Sequence, residues 1–223
     1  MTVTTGRART RSEEVYASIR ERILAGRLHP GDRLGPAVIA EELGVSLSVV
    51  REALTRLAES GLVVSQPQIG FQVTPISRAD LLDLTGVRID IEGLALRKSI
   101  EHGDVGWESS LVAAHYVLER TPQFDPDNPH RLSDDWARAH AAYHEALLDA
   151  CDSPRLLAIA NELRDSAELY RRWSQSEVDD PRDIPAEHRE ILEAVQRRDA
   201  DAAVAALQRH IEHTTSVLLD IAD

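Results

Sequence analysis

Residues 34–73, LGPAVIAEELGVSLSVVREALTRLAESGLVVSQPQIGFQV, decide the fold of the N-terminal part. Val50, Leu54 and Leu57 recur at helical spacing after Ser46, the natural N-cap of one helix, and Gly61 closes it. A shorter helix over Pro36–Leu43 precedes it, with proline in its first turn and Gly44 at its end. Gly44-Val45-Ser46 is then a tight turn between the two. Leu62–Gln66 and Phe71–Thr74 alternate like strands around Pro67-Gln68-Ile69-Gly70. Two short helices across a tight turn, followed by a small two-stranded ribbon, have the layout of a winged helix-turn-helix, which inserts its second helix into the DNA major groove.

Upstream, an apolar stripe at Val15, Ile19, Ile23 and Leu24 marks another helix, with Ser12 placed as its N-cap and Gly26 at its end. Residues 1–11 read as a polar, disordered tail. Downstream of Pro75 the periodicity is purely helical. Helices are expected near 78–102, 105–120, 131–150, 153–176, 182–198 and 199–222, separated by turns containing Gly103, Pro122/Pro126/Pro129, Pro154, Pro181/Pro185 and Asp199. The three-proline stretch Thr121–His130 reads as a loop. The expected fold is mainly all-α: a winged helix-turn-helix over 12–76, and a bundle of about six helices over 77–223.

Composition bounds the function. With 223 residues, 43% hydrophobic and 28% charged, the chain has room for one large or two small cores. No apolar run approaches the ~20 residues of a bilayer span, and the arginine-bearing N-terminus lacks the apolar region of a secretory signal. One cysteine, Cys151, forms no internal disulfide, which fits a reducing cytoplasm. The net charge of −13 is unevenly spread. Residues 1–77 hold nine arginines and eight acids, whereas the remainder holds 16 basic and 30 acidic residues. The acidity belongs to the C-terminal part, and phosphate attraction needs only a local basic face.

In the Ser46–Gly61 helix, residues 47, 48, 51, 52 and 55 point away from the apolar stripe. Arg51 is the candidate for a guanine or phosphate contact, and Ser46 and Ser48 suit phosphate oxygens or adaptable base contacts. Leu47 can pack on a thymine methyl. Arg56, further along the helix, and Gly70 in the wing complete the DNA-facing set. A winged helix serving only protein contacts is the plainer alternative.

Here GDRL, LGVS, VREAL, RL and GLV, in register over about residues 12–76, resemble the winged-helix domain of the GntR family of bacterial transcription regulators. Two departures matter. Leu47-Ser48-Val49 stands where members commonly carry Arg-Thr-Pro, and Ile69 stands where the wing commonly carries Arg. The resemblance therefore implies DNA binding with an altered sequence preference.

Four of nine histidines fall at suggestive positions. His140 and His144 share one helix face, as metal-ligand pairs four residues apart do, although core or surface histidines are the commoner reading of such a pair. His188 opens HREILEAV, and His210 lies on the apolar side of the last helix. Converging imidazoles suit Zn²⁺, Ni²⁺ or another borderline divalent ion. Residues 78–222 resemble the all-helical ligand-binding (FCD) domain of the FadR-type branch of the same family. His144, His188 and His210, spaced by 44 and 22 residues, match the three histidines of its metal-containing members. His140 stands where those members have a carboxylate.

What the resemblance implies is a divalent metal with open positions, a carboxylate effector, and Arg88 as the cation at the acid's other end. An i, i+4 ion pair from Arg88 to Glu92 is the structural alternative. Glu187 reads as a helix-terminus acid. Asp83 reads as a complement to its helix N-terminus. Arg171-Arg172 reads as a solvated face. Tyr143, Trp136 and Tyr170 read as core or pocket wall, and His115, His130 and His213 as surface or packing residues. Cys151 reads as a small packed residue. The expected protein is a cytoplasmic, homodimeric repressor, not an enzyme, binding operator DNA and released by a small organic acid. An acyl-CoA-responsive regulator without metal and a helical metalloenzyme are the other readings.

Overall fold

The computed structural model describes residues 10–66, 70–75, 77–174 and 183–219. Two compact units divide between Pro75 and Ile76. In the first unit, helix α1 spans Arg11–Leu24. Its cap is Thr10, not Ser12: the Thr10 hydroxyl accepts from the Glu13 N–H, and the Glu13 carboxylate accepts from the Thr10 N–H. Ser12 is buried inside the first turn, so Thr10 and Arg11 belong to the folded unit rather than to a tail. Val15, Ile19 and Ile23 face inward.

Helix α2 spans Pro36–Leu43 and stops at Gly44, whose φ of +62° is the left-handed conformation that favours glycine there. Helix α3 spans Leu47–Glu59 and buries Val50, Ala53, Leu54 and Leu57. The wing is a three-stranded antiparallel sheet, one strand more than the sequence suggested. Strand β1, Arg33–Leu34, pairs with β3, Gly70–Val73, which pairs in turn with β2, Val63–Gln66. A two-residue strand carries no periodicity to read.

Among the described residues, the second unit holds six helices and one hairpin. Helix α4, Arg78–His102, starts where the Ser77 hydroxyl accepts from the Asp80 N–H. That first turn carries Asp80; Asp83, proposed for this role, lies further along. Gly103 separates α4 from α5, Val105–Arg120, and an added Cβ there would lie 2.0 Å from the Trp107 ring. The stretch read as a loop forms a hairpin of β4, Phe124–Asp125, and β5, Asn128–Leu132. Helix α6, Asp134–Leu148, follows its Ser133 cap. Helix α7 spans Pro154–Ser174, α8 spans Ile184–Gln196, and α9 spans Ala200–Leu219. Pro185 lies in the first turn of α8, where a missing N–H costs nothing, rather than in a preceding turn. Leu96, Leu111, Tyr143, Leu147, Ile191, Leu207 and Ile211 form the core between α4, α5, α6, α8 and α9. No described helix is long and apolar enough to cross a membrane.

Candidate metal centre and DNA-facing helix

Three helices bring four histidines to one point. His140 and His144 stand one turn apart on α6, His188 lies in the first turns of α8, and His210 lies midway along α9. Their candidate ligand atoms all lie within 4.8 Å of one another. Ring centroids are 4.5 Å apart for His140 and His144, 4.7 Å for His188 and His210, and 5.2 Å for His144 and His210. A tetrahedral zinc with Zn–N of ~2.1 Å has ligand separations of ~3.4 Å. The spread of up to 4.8 Å is wider than this, so the rings would have to turn inward to engage one ion together.

The strongest sign of a ligand is His144. It is buried, and neither ring nitrogen has a hydrogen-bond partner among the described residues. Buried nitrogens without partners cost stability and are rare unless something else engages them. Burial holds His144 well below its ordinary pKa, and the neighbouring rings of His210 and His188 and the guanidiniums of Arg164 and Arg88 act in the same direction. His140, partly buried, is held down in the same way by burial, then by His144 and Arg171. Neutral imidazoles are the form that ligates a cation. The donor set therefore fits a borderline divalent ion.

Surrounding groups orient this set. The Tyr143 hydroxyl, kept protonated by burial, donates to the His188 carbonyl at 2.9 Å. Trp136 stacks on His140 at 4.8 Å, and the Arg171 guanidinium lies over the Trp136 ring, 5.0 Å from its centre. Arg171 is thus buried and paired with Glu168, which corrects its reading as a solvated face; the Arg172 side chain lies outside the described residues. Glu187 accepts from His210 Nδ1 at 2.8 Å and His213 Nδ1 at 3.0 Å, so it is more than a helix-terminus acid. His213 is exposed, and His115 is buried edge-on to Tyr143. The His130 side chain is also outside the described residues.

Cationic groups gather nearby. Arg88 Nε donates to the buried Glu92 carboxylate at 2.7 Å, so the expected i, i+4 pair is present, and its charge still reaches His144. Arg164, missed from the sequence, sends one amino group to the Asn161 side chain, while its buried Nη1 has no partner among the described residues. A cavity of about 220 Å³ reaches His188 and Trp136, with His115 and Glu119 on its wall. That volume suits a small molecule.

In the first unit, Leu47, Ser48, Arg51, Glu52 and Thr55 form one exposed face of α3. Ser46 stands at the N-cap position but makes no side-chain cap; its hydroxyl lies 3.0 Å from that of Ser48. Arg56 is exposed and stacks over Tyr16, 4.7 Å from the ring centre. Gly70 opens β3 with φ of +92°. Ile69, with Pro67 and Gln68, lies outside the described residues.

Residues 11–73 match the gntR family of bacterial regulatory proteins, and residues 83–213 match the FCD domain. The HTH-type transcriptional regulator BphR of Paraburkholderia xenovorans strain LB400 is 34% identical over 92% of this chain and 84% of its own length. The HTH-type transcriptional repressor GlaR of Escherichia coli K12 is 26% identical over 88% of this chain and 90% of its own. In fold, Escherichia coli McbR/YncC superimposes with a TM-score of 0.80 at 18% identity, covering 96% of this chain and all of that one (100%). A GntR regulator from Rhodococcus sp. RHA1 reaches a TM-score of 0.76 at 22% identity, covering 94% of this chain and 98% of that one.

Proposed function

This chain belongs to the GntR family of DNA-binding transcription regulators, with an FCD domain as its C-terminal unit, and from that premise we propose that it is a repressor released by a small carboxylate bound at a divalent-metal centre. Ser46, Leu47, Ser48 and Arg51 at the start of α3, with Arg56 and Gly70, are the residues proposed to face operator DNA. His140, His144, His188 and His210 are the proposed metal ligands, with zinc or nickel as the ion, and Arg88 the proposed anchor for the acid. One observation carries the metal reading: His144, clustered with three other imidazoles, has two buried nitrogens with no hydrogen-bond partner among the described residues.

When bound, the ion would act as a Lewis acid toward an acid's oxygen, which would enter by expanding the shell beyond the four imidazoles. The chain's own residues do the rest. Trp136 fixes the His140 ring, Tyr143 fixes the start of α8 through the His188 carbonyl, and Arg88 and Arg164 favour an anion beside the centre. Two heads held by a homodimer read half-sites about one DNA turn apart. Ligand-driven movement of the bundle helices changes that separation, a coupling expected at ~1–3 kcal/mol. The repressors among its relatives support the sign of regulation.

The test is electrophoretic mobility shift with zinc-loaded protein, its operator, and a panel of small mono- and dicarboxylates. A several-fold loss of affinity with one acid, absent in Arg88→Met, is the expected result. Unchanged affinity across the panel at saturating concentration sinks the effector reading.

A further inference from the structure

The histidine cluster has an electrostatic peculiarity: all four candidate donors are imidazoles, and among the described residues no carboxylate belongs to the cluster. A divalent cation held there lacks an anionic ligand, in a place where three of the four rings are buried. From α4 and α7 the guanidiniums of Arg88, Arg164 and Arg171 act on His140 and His144, and the carboxylates there are already engaged, Glu92 by Arg88 and Glu168 by Arg171. Such a site needs negative charge from just outside the ligands.

Glu187 is placed to provide it. Its carboxylate is mostly buried, with 17% of the side chain exposed, and both oxygens are engaged. Oε2 accepts from His210 Nδ1 at 2.8 Å, and Oε1 accepts from His213 Nδ1 at 3.0 Å. Two donors from successive turns of α9 therefore hold the carboxylate in one orientation. A hydrogen bond at Nδ1 also decides the tautomer of His210. With the proton on Nδ1 directed at Glu187, the lone pair resides on Nε2, the atom through which His210 would then ligate.

We propose that Glu187 is a positioning residue for the metal centre: it fixes His210 as an Nε2 ligand and supplies the charge that the four imidazoles lack. This inference rests on the reading of the cluster as a metal site. It extends that reading to a residue between two sequence neighbourhoods, adjoining His188 in the chain and bonding His210 in space. His213 serves the same arrangement by holding the second oxygen.

Two measurements test it, both on full-length protein stripped of metal. In the first, Co²⁺ is titrated against a competing chelator while the visible d–d bands are recorded. Wild type takes up one equivalent with a four- or five-coordinate spectrum. Glu187→Gln, which keeps an acceptor but loses the charge, binds 10–100-fold more weakly with shifted bands. Glu187→Asp restores part of the affinity. In the second, ¹⁵N chemical shifts of the histidine rings in zinc-loaded wild type report His210 as protonated at Nδ1 and metal-bound at Nε2, a readout that needs no variant to fold. Glu187→Gln binding with wild-type affinity and spectrum overturns the inference while leaving the metal reading intact, as does a His210 bound through Nδ1. Wild type that takes up no Co²⁺ overturns both.

Discussion

Replacing His144 with leucine tests whether this residue serves structure or a ligand, because the two roles give opposite signs. A histidine retained for packing and hydrogen bonds loses stability when it is replaced. His144 has no such bonds among the described residues, and both nitrogens are buried. Each unsatisfied buried polar group costs ~1–3 kcal/mol, whereas a swap to a similar-sized apolar side chain costs under ~1.5 kcal/mol. His144→Leu should therefore raise the stability of metal-free protein by about 1–3 kcal/mol. For a unit of this size that is ~2–4 °C in melting temperature per kcal/mol. Zinc should act in the other direction on the pair. At a hundred times its Kd it stabilises the wild type by ~2.7 kcal/mol, and it leaves the variant unmoved. The assay is urea or thermal unfolding of both proteins in EDTA and in zinc. A variant less stable than metal-free wild type by more than ~1 kcal/mol, or a wild type indifferent to zinc, refutes the reasoning.

Other consequences are as specific. Arg51→Ala, at the exposed face of α3, should weaken operator binding by ~1–3 kcal/mol and leave the unfolding free energy within ~0.5 kcal/mol of wild type; fluorescence anisotropy with unchanged affinity would remove Arg51 from the DNA-facing set. The Tyr170 hydroxyl donates to Asp80 Oδ2 at 2.6 Å and accepts from the Ser77 N–H at 3.4 Å, clamping the start of α4. Tyr170→Phe should cost ~1–3 kcal/mol in urea unfolding, and a loss below ~0.5 kcal/mol contradicts the clamp. Burial holds His115 below its ordinary value of 6.5, against the pull of Glu119. Its unfolded form therefore binds more protons in acid, so His115 is neutral to stability above pH 6.5 and costs stability as pH falls below it. His115→Phe should lose less stability than wild type between pH ~7.5 and ~5.5; parallel curves would exclude this source.

The bounds of α4 and α5 were legible in the sequence because Gly103 interrupts the helical run between them; the Ser77 and Asp104 side chains that cap their first turns emerge in the structure. The three-helix origin of the histidine cluster was legible from spacing together with a family resemblance, since i, i+4 alone describes many surface pairs. What escaped depended on distant partners. Glu187 sits in a first turn, where an acid needs no further explanation; its bonds run to α9, 23 and 26 residues away. Arg171 looks solvent-facing until Trp136, on another helix, covers it. The hairpin after α5 hid in a proline-rich stretch, and β1 was too short to show alternation. The Thr10 cap is different. Thr10-Arg11-Ser12-Glu13 is itself a capping-box pattern, and Ser12 merely offered a competing hydroxyl.

The account depends most on a cation at the four histidines, and metal content tests that directly. Full-length protein, stripped and reloaded with zinc, then dialysed, should retain one zinc per chain by elemental analysis, and the His144→Ala, His188→Ala double variant should retain none. Zinc absent from the wild type, or present equally in the double variant, would contradict it.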